Sequence, residues 1–202
     1  LSDGFVITVL FWIVLSVSGS IPFILFGFGV VDSFFESMSG ITTTGATVIA
    51  GLDDLPKSLL IYRQLLQWLG GMGLIVLAIA VMPLLGIGGG QLFKTQTPGP
   101  MSEQRLTPRI TSTARALWSI YFVLTVLCIF AYRLAGMNYF DAVSHAFSTV
   151  SIGGFSTHDL SIGFFDSLSI EIVCIAFMLL SAMSFAVHYS AIYRKQILKY
   201  FY

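Results

Sequence analysis

Four apolar stretches, Phe5–Phe28, Leu59–Leu85, Leu117–Ala135 and Phe164–Val187, punctuate the chain. Each approaches the roughly 20 residues that a helix needs to cross about 30 Å of hydrocarbon. Between the first and second, and again between the third and fourth, the apolar pattern gives way to a short polar segment containing glycine. These segments are Thr42-Thr43-Thr44-Gly45-Ala46-Thr47 and Ser151-Ile152-Gly153-Gly154-Phe155-Ser156-Thr157. Backbone that is neither helix nor closed barrel is tolerated at membrane depth only where it is buried in protein or lines a water-filled cavity. The pattern therefore predicts an all-α, polytopic membrane protein whose two pore loops face a path for a small polar solute, most simply a cation.

The two halves repeat. At an offset of 109 residues, the separation of Gly45 and Gly154, Leu15 meets Leu124, Leu25 meets Leu134, Gly27 meets Gly136, Asp32 meets Asp141 and Ser39 meets Ser148. One offset thus aligns the end of a span, the acidic start of a short helix and the loop glycine in both halves. Each unit reads as membrane helix, pore helix, extended loop, membrane helix. The units run over 1–93 and 116–202, joined by a linker over 94–115 that carries Pro98, Pro100 and Pro108 with Lys94, Arg105, Arg109 and Arg115.

Composition fits this class: 56% of residues are hydrophobic, 10% are charged and the mean hydropathy is +0.88. Ten basic and ten acidic residues balance, so no net field recruits nucleic acid. Placing the linker and Arg194, Lys195 and Lys199 in the cytoplasm leaves only Lys57, Arg63 and Arg133 towards the outside. Both pore loops then open outwards. Cys128 and Cys174 fall inside apolar spans and read as packing residues. His145, His158 and His188 are scattered along the sequence and do not suggest a metal site. The first span is too long for a signal-peptide core, and the chain opens abruptly, like a fragment.

Asp32 and Asp141 are expected as N-caps of the two pore helices, because a carboxylate there satisfies free amides at the positive helix end. A helix from Ser33 to about Ile41 would rise roughly 14 Å and aim its C-terminal carbonyls at the membrane interior. Beyond it, Thr42, Thr43, Thr44 and Gly45, and Ser151, Ile152, Gly153 and Gly154, are the candidate cation-binding residues. Glycine at 45 and 154 opens dihedrals closed to other residues, and the hydroxyls add oxygen ligands, brace the loop or cap the helix end. Glu36 and Arg63 either pair near the outer mouth or reach separately for water.

The runs Phe35-Glu36-Ser37-Met38-Ser39-Gly40-Ile41-Thr42-Thr43-Thr44-Gly45-Ala46-Thr47 and Ser151-Ile152-Gly153-Gly154-Phe155-Ser156-Thr157-His158-Asp159 resemble the first and second filter loops of Trk-type potassium uptake proteins. That family belongs to a superfamily with the Ktr and HKT transporters. Tyr62-Arg63-Gln64, Gly70-Gly71-Met72-Gly73 and Pro98-Gly99-Pro100 fit the same family. The resemblance implies four helix–pore loop–helix units around one potassium path, each giving one filter glycine, here Gly45 and Gly154. This chain carries two of the four. It also implies uptake driven by the electrochemical gradient or coupled to protons or sodium, no cofactor, and a multi-pass protein of the bacterial inner membrane. The expected partners are a second copy of the pore subunit and a cytosolic nucleotide-binding regulatory subunit.

Two rival readings are weighed. A structural subunit could complete another chain's pore without transporting, and cation flux separates it from a transporter. An intramembrane serine protease would use Ser39 as nucleophile and His145 as base, but His145 occupies the repeat position of Glu36, which gives it a structural role.

Overall fold

A computed structural model describes residues 2–84, 110–183 and His188. Among the described residues these α-helices follow in order: α1 (Ser2–Phe26), α2 (Val30–Ile41), α3 (Lys57–Leu84), α4 (Ile110–Leu134), α5 (Tyr139–Val150) and α6 (Leu168–Ala182). Short 3-10 turns at Leu52–Asp54 and Ser161–Phe165 lie before α3 and α6. The described residues contain no strand. Much of the predicted linker, including Lys94, Pro98, Pro100, Arg105 and Pro108, lies outside the described residues, as do Arg194, Lys195 and Lys199. Residues 110–115 of that predicted linker, Arg115 among them, are helical, since α4 starts at Ile110.

Among the described residues two helices, over Thr8–Phe26 and Leu117–Leu134, are long and apolar enough to span a bilayer. Exposed Val14, Leu25, Phe130 and Leu134 give α1 and α4 the apolar surface that lipid covers. The predicted fourth span begins too early. Phe164 and Phe165 close a 3-10 turn, Asp166 takes a left-handed conformation (φ 41°), and α6 starts only at Leu168.

The short helices α2 and α5, 12 residues and about 18 Å each, sit at the centre. Helix α2 packs between α1 and α3, and α5 packs against α3, α4 and α6. Their buried faces are small and polar: Ser33, Glu36, Ser37, Ser39 and Gly40 on α2, Ser144, His145, Ala146, Ser148 and Thr149 on α5. Close approach is what these small residues permit. A Cβ on Gly19 of α1 would meet the Ser37 hydroxyl at 2.4 Å, and one on Gly70 of α3 would lie 1.9 Å from the Ile41 carbonyl.

Helix α3 belongs to both halves. Leu59, Leu60 and Leu66 pack with Phe23, Ile41, Ile49 and Leu52, whereas Met72 joins Tyr121, Cys128, Tyr132, Val150 and Ile170. The repeat is written into the backbone too. Phe28 N–H bonds Phe23 O and Met137 N–H bonds Tyr132 O, each at 3.1 Å, at the equivalent corner after the first helix of each half.

Asp32 and Asp141 are not the N-caps. The caps lie three residues earlier, at Gly29 and Asn138, so both aspartates occupy the first helical turn. Asn138 Oδ1 accepts from Asp141 N–H at 2.9 Å, while its amide donates to Asp141 Oδ2 at 2.6 Å. An acidic residue is favoured at a cap and in the first turn alike, so an isolated aspartate fixes a helix start only to within a turn. Asn138→Ala should therefore destabilise the folded protein by about 0.5–2 kcal/mol. Exposed Asp32, which makes no cap bond, should cost no more than about 0.3–1 kcal/mol on change to Asn. Thermal unfolding of the purified variants in detergent measures both.

Candidate functional site

Both central helices end in the same way. After α2, Thr43 N–H bonds Gly40 O (3.0 Å) and Thr44 N–H bonds Ser39 O (2.9 Å). After α5, Ile152 N–H bonds Thr149 O (3.1 Å) and Gly153 N–H bonds Ser148 O (2.8 Å). This paired closure requires a left-handed residue, supplied by Thr43 and Ile152, both at φ 54°. The chain then turns again at Gly45 (φ 78°) and Gly154 (φ 88°), where a side chain would be strained.

The two loops meet. A Cβ on Gly45 would lie 2.0 Å from the Gly153 carbonyl oxygen, so the first loop passes directly over the second. Gly153 is itself backed by Gln67 of α3, whose side chain a Cβ would strike at 2.4 Å. Gly154 faces open space, beside a cavity of about 400 Å3 bordered by Ile152, Ser148, Thr149 and Glu171. All eight predicted residues, Thr42–Gly45 and Ser151–Gly154, thus stand at the adjoining C-terminal ends of α2 and α5. Two of the four hydroxyls turn back on backbone: Thr42 Oγ1 donates to Met38 O at 2.7 Å, and Ser151 Oγ to Ser148 O at 3.2 Å.

Behind the loops is a polar layer of which sequence reading found only part. Glu36 and Arg63 do pair, fully buried, with Nη2 2.6 Å from Oε1. Thr47 Oγ1 lies 2.9 and 3.0 Å from the two carboxylate oxygens, and Val48 N–H reaches Oε2 at 3.3 Å. Gln67 Oε1 accepts from Phe155 N–H at 3.0 Å. Its signal was its place four residues after Arg63, on the same face of a largely apolar helix.

In the second half His145 stands where Glu36 stands in the first. Its Nδ1 faces the Asp141 carbonyl at 2.9 Å and must donate, so in the neutral ring Nε2 accepts from Ser156 Oγ at 2.9 Å. Ser39 Oγ is committed to the Ala46 carbonyl at 2.5 Å. The serine protease reading thus lacks its nucleophile–base pair.

The loops that precede α3 and α6 are tied to one another by side-chain hydrogen bonds. His158 bridges Asp53 of the first half, through Nδ1, and Asp141 of the second, through Nε2 at 3.3 Å, with its ring stacked on Phe164. Asp159 accepts from Gly51 N–H (3.1 Å) and Leu52 N–H (3.0 Å), and Thr157 Oγ1 donates to Asp141 at 2.7 Å. His145 and His158 are not scattered in space: their ring centres are 6.4 Å apart. Among the described residues no group of three or more His, Cys, Asp or Glu could hold a metal.

A family model described as TrkH, cation transport protein, matches residues 1–201. The chain belongs to the TrkH family of cation transport proteins. It is 58% identical over 202 residues to a Trk system potassium uptake protein TrkH of Halomonas elongata, covering 98% of this chain and 42% of that relative. It is 52% identical over 191 residues to one of Escherichia coli (strain K12), covering 93% and 40%. The crystal structure of the potassium transporter TrkH from Vibrio parahaemolyticus superposes with a TM-score of 0.80 at 55% identity, over 94% of this chain and 38% of that one. The chain thus spans about two fifths of the length of these relatives.

The ties between these loops in this TrkH-family chain give a pH dependence of definite sign. The hydrogen bond from His158 holds the Asp53 carboxyl below its ordinary range. For Asp141 burial works the other way, but hydrogen bonds from Thr157, His158 and Asn138 outweigh it and the net shift is also down. A carboxylate with depressed pKa stabilises the fold above the unfolded-state value and loses that contribution as pH falls through its own. The melting temperature in detergent should therefore drop as pH falls below about 4. Asp53→Asn should flatten that drop.

Proposed function

We propose that the chain forms two units of a potassium-conducting pore. In this reading the carbonyls of Thr42–Gly45 and Ser151–Gly154 replace part of the hydration shell of the ion, and the C-terminal ends of α2 and α5 favour a cation. The observation that carries it is the seating of Gly45 against the Gly153 carbonyl: two loops with left-handed glycines, each released by a half-length helix, converge at one place. The names of the relatives, potassium uptake proteins and a potassium transporter, agree with that cargo. The chemistry asked of the protein is substitution of oxygen ligands, with no covalent step.

The rest of the expectation follows as part of the same proposal. Units 1–93 and 116–202 span the bacterial inner membrane, with 94–115 on the cytoplasmic side. Two copies of the pore subunit associate, and a cytosolic nucleotide-binding regulatory subunit docks on the inner face, where the basic residues of the linker await it. Proton and sodium gradients imposed separately on vesicles distinguish coupled uptake from channel-like flow.

The glycines test the site, and the structure separates them. Gly45→Ser drives a Cβ into the second loop, so it should lower the yield of folded protein as well as selectivity. Gly154→Ser meets nothing within 4 Å and pays only for its left-handed backbone, about 1–3 kcal/mol. It should assemble, and should reduce the preference for potassium over sodium in uptake by the full-length protein in proteoliposomes. An unchanged ion preference in folded Gly154→Ser would remove that glycine from the ion path.

A further inference from the structure

The buried guanidinium of Arg63 is the one described side chain that bonds the chain directly after both filter glycines. Its Nη2 donates to Thr47 Oγ1 at 3.1 Å and its Nη1 to the Ser156 carbonyl at 3.1 Å. Thr47 and Ser156 each stand two residues beyond a filter glycine, Gly45 and Gly154. Its Nε and Nη2 hold Glu36 Oε1 at 2.7 and 2.6 Å, and its Cζ lies 4.4 Å from the centre of the Phe155 ring. The offset of 109 residues carries Glu36 to His145 and Thr47 to Ser156, but Arg63 to Ile172. The second half therefore repeats the bond from pore helix to loop, His145 to Ser156, but has Ile172 where the first half has Arg63. One fork from the first half reaches across to it.

We infer that Arg63 is a positioning residue for ion selection: it fixes the spacing between the two loops, while Glu36 cancels its charge so that the path stays favourable to a cation. The inference rests on the potassium-pore reading above. A planar guanidinium with donors in fixed directions can hold a hydroxyl, a carbonyl and a carboxylate together, whereas an ammonium on a flexible stem is a point charge that cannot span all three. The two duties are chemically separable. Geometry depends on the fork, and the local field depends on the balance of one positive against one negative charge, both side chains being fully buried.

Uptake of potassium, rubidium and sodium by the full-length protein in proteoliposomes, with the melting temperature of each variant in detergent, reads both. Arg63→Lys keeps the charge balance and loses the fork. It should shift the rubidium-to-potassium or sodium-to-potassium ratio by at least about threefold while leaving the half-saturating potassium concentration near that of the parent. Glu36→Gln leaves the guanidinium uncompensated and should raise that concentration by about tenfold or more. The double variant Glu36→Gln/Arg63→Gln should restore the half-saturating concentration but not the ratio. Glu36→Asp serves as the second geometric variant, since it draws the guanidinium back without removing charge. Parental ratios in folded Arg63→Lys or Glu36→Asp, or failure of both to fold, would overturn the inference and leave a purely structural ion pair. Absence of flux through the parent protein would instead sink the pore reading.

Discussion

A chain that stops being helical part-way through a membrane protein leaves carbonyls and amides without intrahelical partners, and hydrocarbon offers none. Here that problem is posed twice and solved each time by the same local device. The amides after α2 and α5 turn back onto the last helical turn, through Thr44 to Ser39 and Gly153 to Ser148. Side chains take over where the backbone cannot: Ser39 holds the Ala46 carbonyl, Glu36 takes the Val48 amide, and Gln67 takes that of Phe155.

The second constraint is charge. A carboxylate and a guanidinium buried together are stable only as a complete set, because either one left alone would carry its full desolvation penalty. The set in the first half is complete: Glu36 accepts from Arg63, Thr47 and Val48, and Arg63 donates to Glu36, Thr47 and Ser156. The second half reaches the same end with a neutral histidine and a hydroxyl. Two repeats that share a backbone pattern thus differ in their bracing, an ion pair in the first half and a histidine–hydroxyl hydrogen bond in the second.

Much of this was legible in the chain. The offset of 109 residues located both short helices, and Gly45 and Gly154 marked the loops because few other residues accept those dihedrals. Apolar length alone found α1 and α4. It misjudged α6, where Phe164 and Phe165 extend the hydrophobic run but belong to a 3-10 turn closed by Asp166. The caps were misplaced because Gly29 has no side chain to announce itself and an aspartate suits two positions of the first turn. Gln67, Thr47 and the ties of His158 to Asp53 and Asp141 were missed for another reason. Each joins residues far apart in sequence, and periodicity says nothing about which distant loop a polar side chain will meet.

The left-handed residues at the helix ends show what the loops are built to resist. Thr43 and Ile152 are β-branched, and for such residues a φ of 54° is a strained conformation, at about 1–3 kcal/mol each, where glycine would sit at ease. The side chains do not repay this by burial, since Ile152 is 46% exposed. A glycine at either place would relax the helix end, but it would also open other dihedrals to the first residues of the loop. A stiff residue held in one strained well by three consecutive backbone bonds has few alternatives near it. Strain placed before the loop and freedom placed at its glycine are complementary: the entry to the loop is fixed, and the sharp turn is confined to one residue. The carbonyls between them inherit a defined direction from both ends.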